Sequence, residues 1–597
     1  MKSYRIGDFA GVNYNRDLTT ADFSAATRAL NVDFVGGTGI TGRPAFRTML
    51  TAAGSEWYTW CEAFGGSGVA KRNMPVSVGG STEPFRASAI ILRTPQASST
   101  NLWSVSQFDG STLDSITFGG VGITYINLKN TQIAGGLSIT KGDVAGNRII
   151  AAPTGDLARC TFGGNLATIT LPASGSYNTN TASFTYASYC AIFVQSRRVL
   201  VGQRDRIWFS DPDSYTFTNG NYVSLGAFGH GTIMNMAETP EGVYVFLTNG
   251  IVFIYGETVD ANGNAILQYR RISNIGSTTP YYGTTSGPSG IFFLGENGLY
   301  KVSGVTVSKV QTPFDYAWEL NPWANPNAQT GRDSLGSTAA AQDVHYFPYH
   351  FGHYKYDGGT LTADPSNGSI GVHQSGRKLY VYGKSPDLGA SSAVTLANTN
   401  GGTWVLDIPT NKWSYWDISP NCMTSGYQLN STTSNDYNAR DSAKERLYFA
   451  ASGAGLTRWT GKTLCRSDAS QNADSPGAFY VDYWTGYGSL GSPGVNKRIS
   501  GYRVWGQGSS SYPVATNLYC DFEQTSRAPT GTFISGGMGT QIGYKLIDAA
   551  VTGSCVSLRI QRSASGQKWH IGAIDLFYDD IGVGTILGGR SISGVDT

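Results

Sequence analysis

The stretch GGTWVLDIPTNKWSYWD, Gly401 to Asp417, decides the fold. Trp404 and Val405 run up to Asp407, the chain turns through Ile408, Pro409, Thr410 and Asn411, and it resumes on Trp413, Tyr415 and Trp416. Two short apolar runs joined by a polar, Pro- and Asn-bearing turn read as a hairpin. Two meanings compete for it: one blade of a larger wheel, or the mouth of a sugar-cleaving site.

The same outline recurs along the chain. NLWSVSQFDGSTLDSITF (Asn101 to Phe118), NRIIAAPTGDLARCTF (Asn147 to Phe162) and RVLVGQRDRIWFSDPDSYTF (Arg198 to Phe217) each give a strand, a polar turn and a strand ending in an aromatic. GVYVFLTNGIVFIYGE (Gly242 to Glu257), GIFFLGENGLYKVSG (Gly290 to Gly304), RKLYVYGKS (Arg377 to Ser385) and RLYFAASGAGLTRWTG (Arg446 to Gly461) continue it. Sheets of three or four strands have apolar faces that none of them can cover alone, so stacking around an axis is the economical solution. Asn249-Gly250 and Asn297-Gly298, each between apolar runs, are expected to supply positive φ for hairpin turns. The rival architecture is an elongated set of β-sandwiches.

Composition agrees with an all-β chain. Of 597 residues, 77 are Gly, 12% are aromatic and only 14% are charged, against about 25% charged in an average soluble protein. Surface helices need Lys and Glu for their solvent faces, and this sequence has few. The sole helical start signal is Thr19 or Thr20 ahead of ADFSAATRALN, which predicts a short helix over residues 21–31. Three parts follow: a lead-in or docking segment over 1–50 with that helix, an irregular β-propeller over 51–472, and a C-terminal β-sandwich over 473–597. In the last part Trp569, Ile571, Ala573, Ile574, Leu576 and Phe577 read as one final strand.

Charge names no partner: 43 basic and 41 acidic residues give a net +2 and are spread without blocks, so neither a basic nucleic-acid arm nor a polybasic membrane patch is present. Cys61, Cys160, Cys190, Cys422, Cys465, Cys520 and Cys555 form no C-x-x-C pair and are too widely spaced for a zinc site. They read as free, mostly buried thiols suited to assembly in a reducing cytoplasm. The start, MKSYRIGDFAG, lacks the apolar run of a signal peptide.

Three sets of residues bear on chemistry. A sialidase-type Asp box reads Ser-x-Asp-x-Gly-x-Thr-Trp; here the frame Ala397-x-Thr399-x-Gly401-x-Thr403-Trp404 keeps Gly, Thr and Trp and loses Ser and Asp. Even an intact box is a turn staple, and scattered Arg197, Arg198 and Arg271 do not define an arginine cluster for a substrate carboxylate. His345, His350 and His353 are the sole histidine cluster, but offsets of five and three on an extended strand divide them between two faces. Trp404, Trp413 and Trp416 are read as packing between sheets rather than as a stacking platform for bases. No phosphate loop and no nucleophile elbow occurs. The sequence therefore assigns no catalytic, cofactor-binding or metal residue, no cofactor and no small-molecule substrate, and the chain is expected not to be an enzyme.

Two regions carry a family likeness. In IGDFAGVNYNRDLTTADFSAATRALNVDFVGGTGITGRPAF, the residues Asn13, Asn31, Gly39, Arg43, Pro44 and Phe46 fit an opening motif of phage virion proteins; Gly11 lacks its Gly neighbour, and Ala45 stands where Gly is usual. The phrases Arg206 to Asp211, Thr248 to Tyr255 and Gly295 to Tyr300 resemble the propeller core of the tail nozzle family, the tail tubular protein B-like proteins of short-tailed bacteriophages. The resemblance covers roughly residues 3–304. It implies a structural virion protein of the viral tail, assembled in the host cytoplasm as a homohexameric ring beneath a tail adaptor, in some cases bearing tail fibres. Such a ring retains the genome and passes viral DNA during ejection without reading its sequence. Walls poor in Lys and Arg suit that role, because many phosphate contacts would slow transit. The alternatives are a glycan-binding propeller of a receptor-binding protein or tail fibre, and a sialidase-like glycan hydrolase.

Overall fold

The computed structural model describes residues 1–12, 23–52, 188–196, 198–203, 206–209, 211–212, 220–225, 231, 233–277, 283–295, 298–313, 370–383, 403–418, 420, 422–427, 445–453, 461–468, 479–491, 493–507, 514–521, 531–533, 543–563 and 569–583, together with isolated strands between 55 and 169 and at 354–357 and 360–363. These residues are almost entirely β-structure; a single turn of 3-10 helix at Val194–Ser196 is the sole helical element among them.

The middle of the chain is a succession of small antiparallel sheets, each built from consecutive strands. Four strands between Ser188 and Ser224 form one sheet, four between Ile233 and Ser273 the next, and four between Thr284 and Lys309 a third. A fourth set, from Ile370–Ser375 to Lys412–Trp416, follows the same order. Short apolar runs between tight turns can pair only with their immediate neighbours, which is why sequence order and sheet order coincide. The first strand of each sheet lies against the first strand of the next: Ser188–Phe193 against Ile233–Thr239, that strand against Thr284–Gly287, then Ile370–Ser375, then Cys422–Tyr427.

The N-terminal segment threads through several sheets. Strand β1 (Lys2–Ile6) pairs with the final strand, His570–Val583. Strand β2 (Ala26–Leu30) lies between Lys412–Trp416, parallel to it, and Tyr480–Thr485, antiparallel. Strands β3 (Val32–Val35) and β4 (Gly39–Gly42) form a hairpin that meets the final strand at Ile40 and Ile571. Strand β5 (Ala45–Ala52) is the outer strand of a sheet whose other three strands come from residues 422–468. Residues 1–50, set apart as a lead-in from the sequence, therefore pair with strands on both sides of the boundary drawn at 472.

No helix forms at Ala26–Leu30, contrary to expectation. A segment of about ten residues has little helical stability of its own, and here the backbone has hydrogen-bonding strands on both sides while Ala26 and Ala29 are buried. The candidate caps Thr19 and Thr20 lie outside the described residues. A second correction concerns Gly250. The hairpin loop is Thr248-Asn249, since Leu247 pairs with Gly250, and Gly250 does not take the positive φ expected of it. Its lack of a side chain answers to space instead, because a Cβ would stand 2.7 Å from the Ser273 carbonyl oxygen. Gly298 does have a positive φ, of 133°.

The strands of residues 479–583 make two layers. Ile499, Tyr502, Val504, Ile574 and Leu576 from one sheet share a core with Val481, Tyr483, Leu518, Leu558 and Ile560 from the other. Tyr502 crosses between the layers, its hydroxyl 2.7 Å from Thr516 Oγ1; burial pushes its phenol up to about 12, against a smaller opposing effect of that hydrogen bond. Ile6, Phe9, Val32, Trp404 and Trp413 belong to the same core, so the apolar interior continues into the neighbouring small sheets.

Candidate functional site

The opening hairpin is Thr403–Asp407 paired with Lys412–Trp416. Its turn closes on Asn411, at φ 54°, a left-handed conformation that Asn tolerates better than most side chains. Asp407 staples it: Arg377 donates a fork of two hydrogen bonds to the carboxylate, at 2.6 and 2.7 Å, and the Thr410 hydroxyl donates a third. Burial would raise the Asp407 pKa, but the hydrogen bonds from Arg377 and Thr410, with the charges of Arg377 and Lys378, outweigh it and hold the carboxyl below its ordinary value of 3.8. Trp404, Trp413 and Trp416 are buried. Trp416 Nε1 donates to the Val32 carbonyl at 3.1 Å, and Trp413 Nε1 to the Gln311 carbonyl at 3.1 Å. The indoles thus tie this hairpin to β3 and to a neighbouring sheet.

Beside the hairpin lies a heavily bonded polar group, the junction of Asn31 and Arg43. Asn31 turns the chain between β2 and β3 with φ 55°. Its backbone N–H donates to the Tyr415 carbonyl at 2.6 Å, and its amide Nδ2 to the Tyr480 carbonyl at 2.6 Å. Its Oδ1 accepts from Arg43 Nε at 2.8 Å and from the Asp417 backbone N–H at 3.0 Å. Arg43 is wholly buried, donates Nη2 to Asp417 at 2.8 Å and Nη1 to the Pro44 carbonyl at 3.1 Å, and stacks on Phe479, with Cζ 3.9 Å from the ring centroid, and on Phe46, at 5.5 Å. A planar five-donor cation is suited to such a site, where each exposed edge meets an acceptor and each face meets a ring.

Further links support the junction. Lys412 pairs with Asp8 and also donates to the Gly37 carbonyl, and Lys378 pairs with Asp33. Gly11 passes so close to the hairpin that a Cβ would lie 2.3 Å from the Trp413 backbone nitrogen, and the Val12 N–H donates to the Trp413 carbonyl at 2.9 Å. Asp482, on the strand facing β2, is buried between Arg559, which donates a fork at 2.9 and 2.7 Å, and Arg28 at 3.3 Å. The whole constellation locks residues 8–12 and 26–43 onto the hairpin and onto the Tyr480–Thr485 strand.

The remaining residues weighed in the sequence are dispersed. Arg198 forms a forked pair with Glu257, both bonds at 2.8 Å, and Arg271 donates to the Asn249 and Ser273 carbonyls. His345, His350, His353 and Arg197 lie outside the described residues. Among the described residues no group of three or more His, Cys, Asp or Glu side chains is placed to hold a metal. Cys465 and Cys520 are buried thiols and Cys555 is a half-buried one, none of them in a disulfide.

No protein-family model matches the sequence, and no curated protein matches it either. Solved structures do match. An exo-β-1,3-galactanase from Phanerochaete chrysosporium is 8% identical with a TM-score of 0.21, over 82% of this chain and 95% of that one. A family 43 arabinoxylan arabinofuranohydrolase from Bacillus subtilis is 9% identical with a TM-score of 0.19, over 83% and 95%. PorZ, a surface component of the type-IX secretion system of Porphyromonas gingivalis, is 12% identical with a TM-score of 0.27, over 82% and 60%. The expectation that the chain is not an enzyme is corrected here, because glycoside hydrolases are among the structures it matches. At these scores the likeness carries no activity, substrate or partner across to this chain.

Proposed function

We propose that this chain is a tail nozzle subunit of a short-tailed bacteriophage: a structural virion protein whose consecutive small sheets are the blades of an irregular β-propeller. In this reading β5 closes the ring by completing the sheet of residues 422–468. Six copies surround a conduit below the tail adaptor, retain the genome, and pass viral DNA at ejection. The observation that carries the proposal is the Asn31–Arg43 junction. Asn13, Asn31, Gly39, Arg43, Pro44 and Phe46 are the residues that fit the opening motif of phage virion proteins. Of these, Asn31 and Arg43 bond to Tyr415, Asp417 and Tyr480, far away in sequence, and Arg43 stacks on Phe46. A wall under pressure from packaged DNA benefits from such cross-ties, because strain at one sheet is shared with its neighbours through buried bonds that water cannot replace.

Electron microscopy of purified particles carrying a tagged copy tests the proposal. Label at the axial tip of the tail is expected. Label on side fibres, particles that assemble and hold DNA normally without the chain, or turnover of a saccharide by the purified chain as its principal activity would overturn it.

A further inference from the structure

The outer face of the sheet formed by β1, the final strand, Val495–Gln507 and Gly543–Gly553 carries a second arginine held by aromatic rings, and its surroundings differ from those of Arg43. Val495–Gln507 pairs with Gly543–Gly553 on one side and with the final strand on the other, which sets Trp505 opposite Tyr544 and Arg503 between Leu546 and Asp575. Tyr502 and Val504 point into the core, so Arg503 and Trp505 point outward by the alternation of a strand. The Arg503 guanidinium carbon is 4.9 Å from the Tyr544 ring, 5.2 Å from Phe577 and 5.5 Å from Trp505. Three rings hold the plane of the cation in place.

No carboxylate neutralises it among the described residues. Asp575, its cross-strand neighbour, is engaged by Trp505 Nε1 at 2.5 Å and by Arg5 at 3.6 Å. Arg503 Nε is buried with no hydrogen-bond partner. Next to this cation, Tyr544 is 54% exposed and Leu546 51% exposed. A fixed, uncompensated guanidinium adjoining exposed apolar surface is poorly explained by stability, since the positive charge and the open ring both lack a partner.

We propose that this face binds an acidic saccharide, with a uronate-type carboxylate on Arg503 and the C–H face of the sugar ring on Tyr544. Charge complementarity selects the anion: Asp575 is occupied by Arg5, Asp579 by the N-terminal amine at 2.7 Å and Asp580 by Lys2 at 2.5 Å, so none of these carboxylates is paired with Arg503. A guanidinium fork matches the two oxygens of a carboxylate. Ring geometry favours a sugar over a run of nucleotides. Trp505 and Tyr544 are tilted by 49° at 5.0 Å and offer no parallel slot for bases, and a nucleic-acid track needs a series of cations along the backbone, whereas among the described residues Arg503 has beside it only Arg5, which lies over Trp505 and is paired with Asp575. The site does not depend on the tail assignment.

Isothermal titration of the full-length chain with polygalacturonate, dextran and a thymidine oligonucleotide tests it. Polygalacturonate is expected to bind, with dextran and the oligonucleotide at least about tenfold weaker. Arg503→Gln should weaken polygalacturonate binding about tenfold or more, and Tyr544→Ala roughly fivefold, with thermal melts like that of the parent chain. Absence of polygalacturonate binding, equal binding of dextran, preference for the oligonucleotide, or undiminished binding by a folded Arg503→Gln chain would each overturn the proposal.

Discussion

Arg43 and Arg503 are both clasped by aromatic rings, yet they stand in opposite conditions. Arg43 is buried between Phe46 and Phe479, and its fork meets Asn31, Pro44 and Asp417. Arg503 rests against Trp505, Tyr544 and Phe577 at the surface, and no carboxylate of the described residues answers it. Aromatic stacking therefore does not separate a structural arginine from one held ready for a ligand. The acceptors around the guanidinium edge do, because a buried cation without them would be too costly to keep, whereas a surface cation without them is free to receive one.

The comparison breaks most visibly at Arg43. Arg43→Met should keep the packing volume while removing one of the two donors to Asn31 Oδ1 and breaking the pair with the Asp417 carboxylate, a loss of about 3 kcal/mol, read as a lower midpoint in guanidinium chloride. Lysine should not restore it, since one ammonium cannot reach Asn31, Pro44 and Asp417 in a common plane. A midpoint unchanged in Arg43→Met would show that the junction does not hold the segment.

Gly11→Ala should come next in size. The new Cβ meets backbone, at 2.3 Å from Trp413 N and 2.9 Å from Trp413 O, which cannot rotate away as a flexible side chain would. Displacing that strand should cost about 1–3 kcal/mol and should raise proteolytic cleavage in the N-terminal segment ahead of global unfolding.

How much of this was open to sequence reading follows from the range of each interaction. The hairpin at Trp404 and Trp413 was legible because its signal is local: apolar runs, a Pro-Thr-Asn turn, and few charges to make a helix. Arg43 was visible as part of a motif, but its partner Asp417 lies 374 positions away, and no local pattern links them. Ala26–Leu30 was misread because Ala, Arg and Leu favour a helix by propensity, while strands more than 380 residues further along supply the competing bonds. Around Arg503 the alternation of Tyr502, Val504 and their neighbours was available. What it lacked was the identity of the strand opposite, which brings Tyr544 and Phe577 beside the cation.

Acid should sharpen the contrast between buried and exposed polar groups. Burial holds the His570 imidazole below its ordinary pKa of 6.5, beside Gly39, where a Cβ would lie 2.0 Å from Nε2. A depressed folded pKa means that the unfolded chain binds the proton more readily, so the contribution is intact above pH 6.5 and is lost as pH falls through the lower folded value. One proton limits the slope to about 1.4 kcal/mol per pH unit. His570→Gln should flatten stability against pH just below 6.5, while the Asp407 contribution, from a carboxyl held below 3.8, should fail only in stronger acid. Equal slopes in the parent and His570→Gln chains would remove His570 from this account.

Arg503→Gln should give the smallest change in stability, and that smallness is what the comparison requires. The substitution breaks no ion pair among the described residues and leaves Trp505 Nε1 on Asp575, so only ring contacts with the guanidinium are reduced. The midpoint should move by no more than about 0.5 kcal/mol, and relief of the unpartnered Nε offsets part of that. A loss as large as that of Arg43→Met would mean that Arg503 supports the sheet through its rings, and the two arginines would then differ in exposure alone.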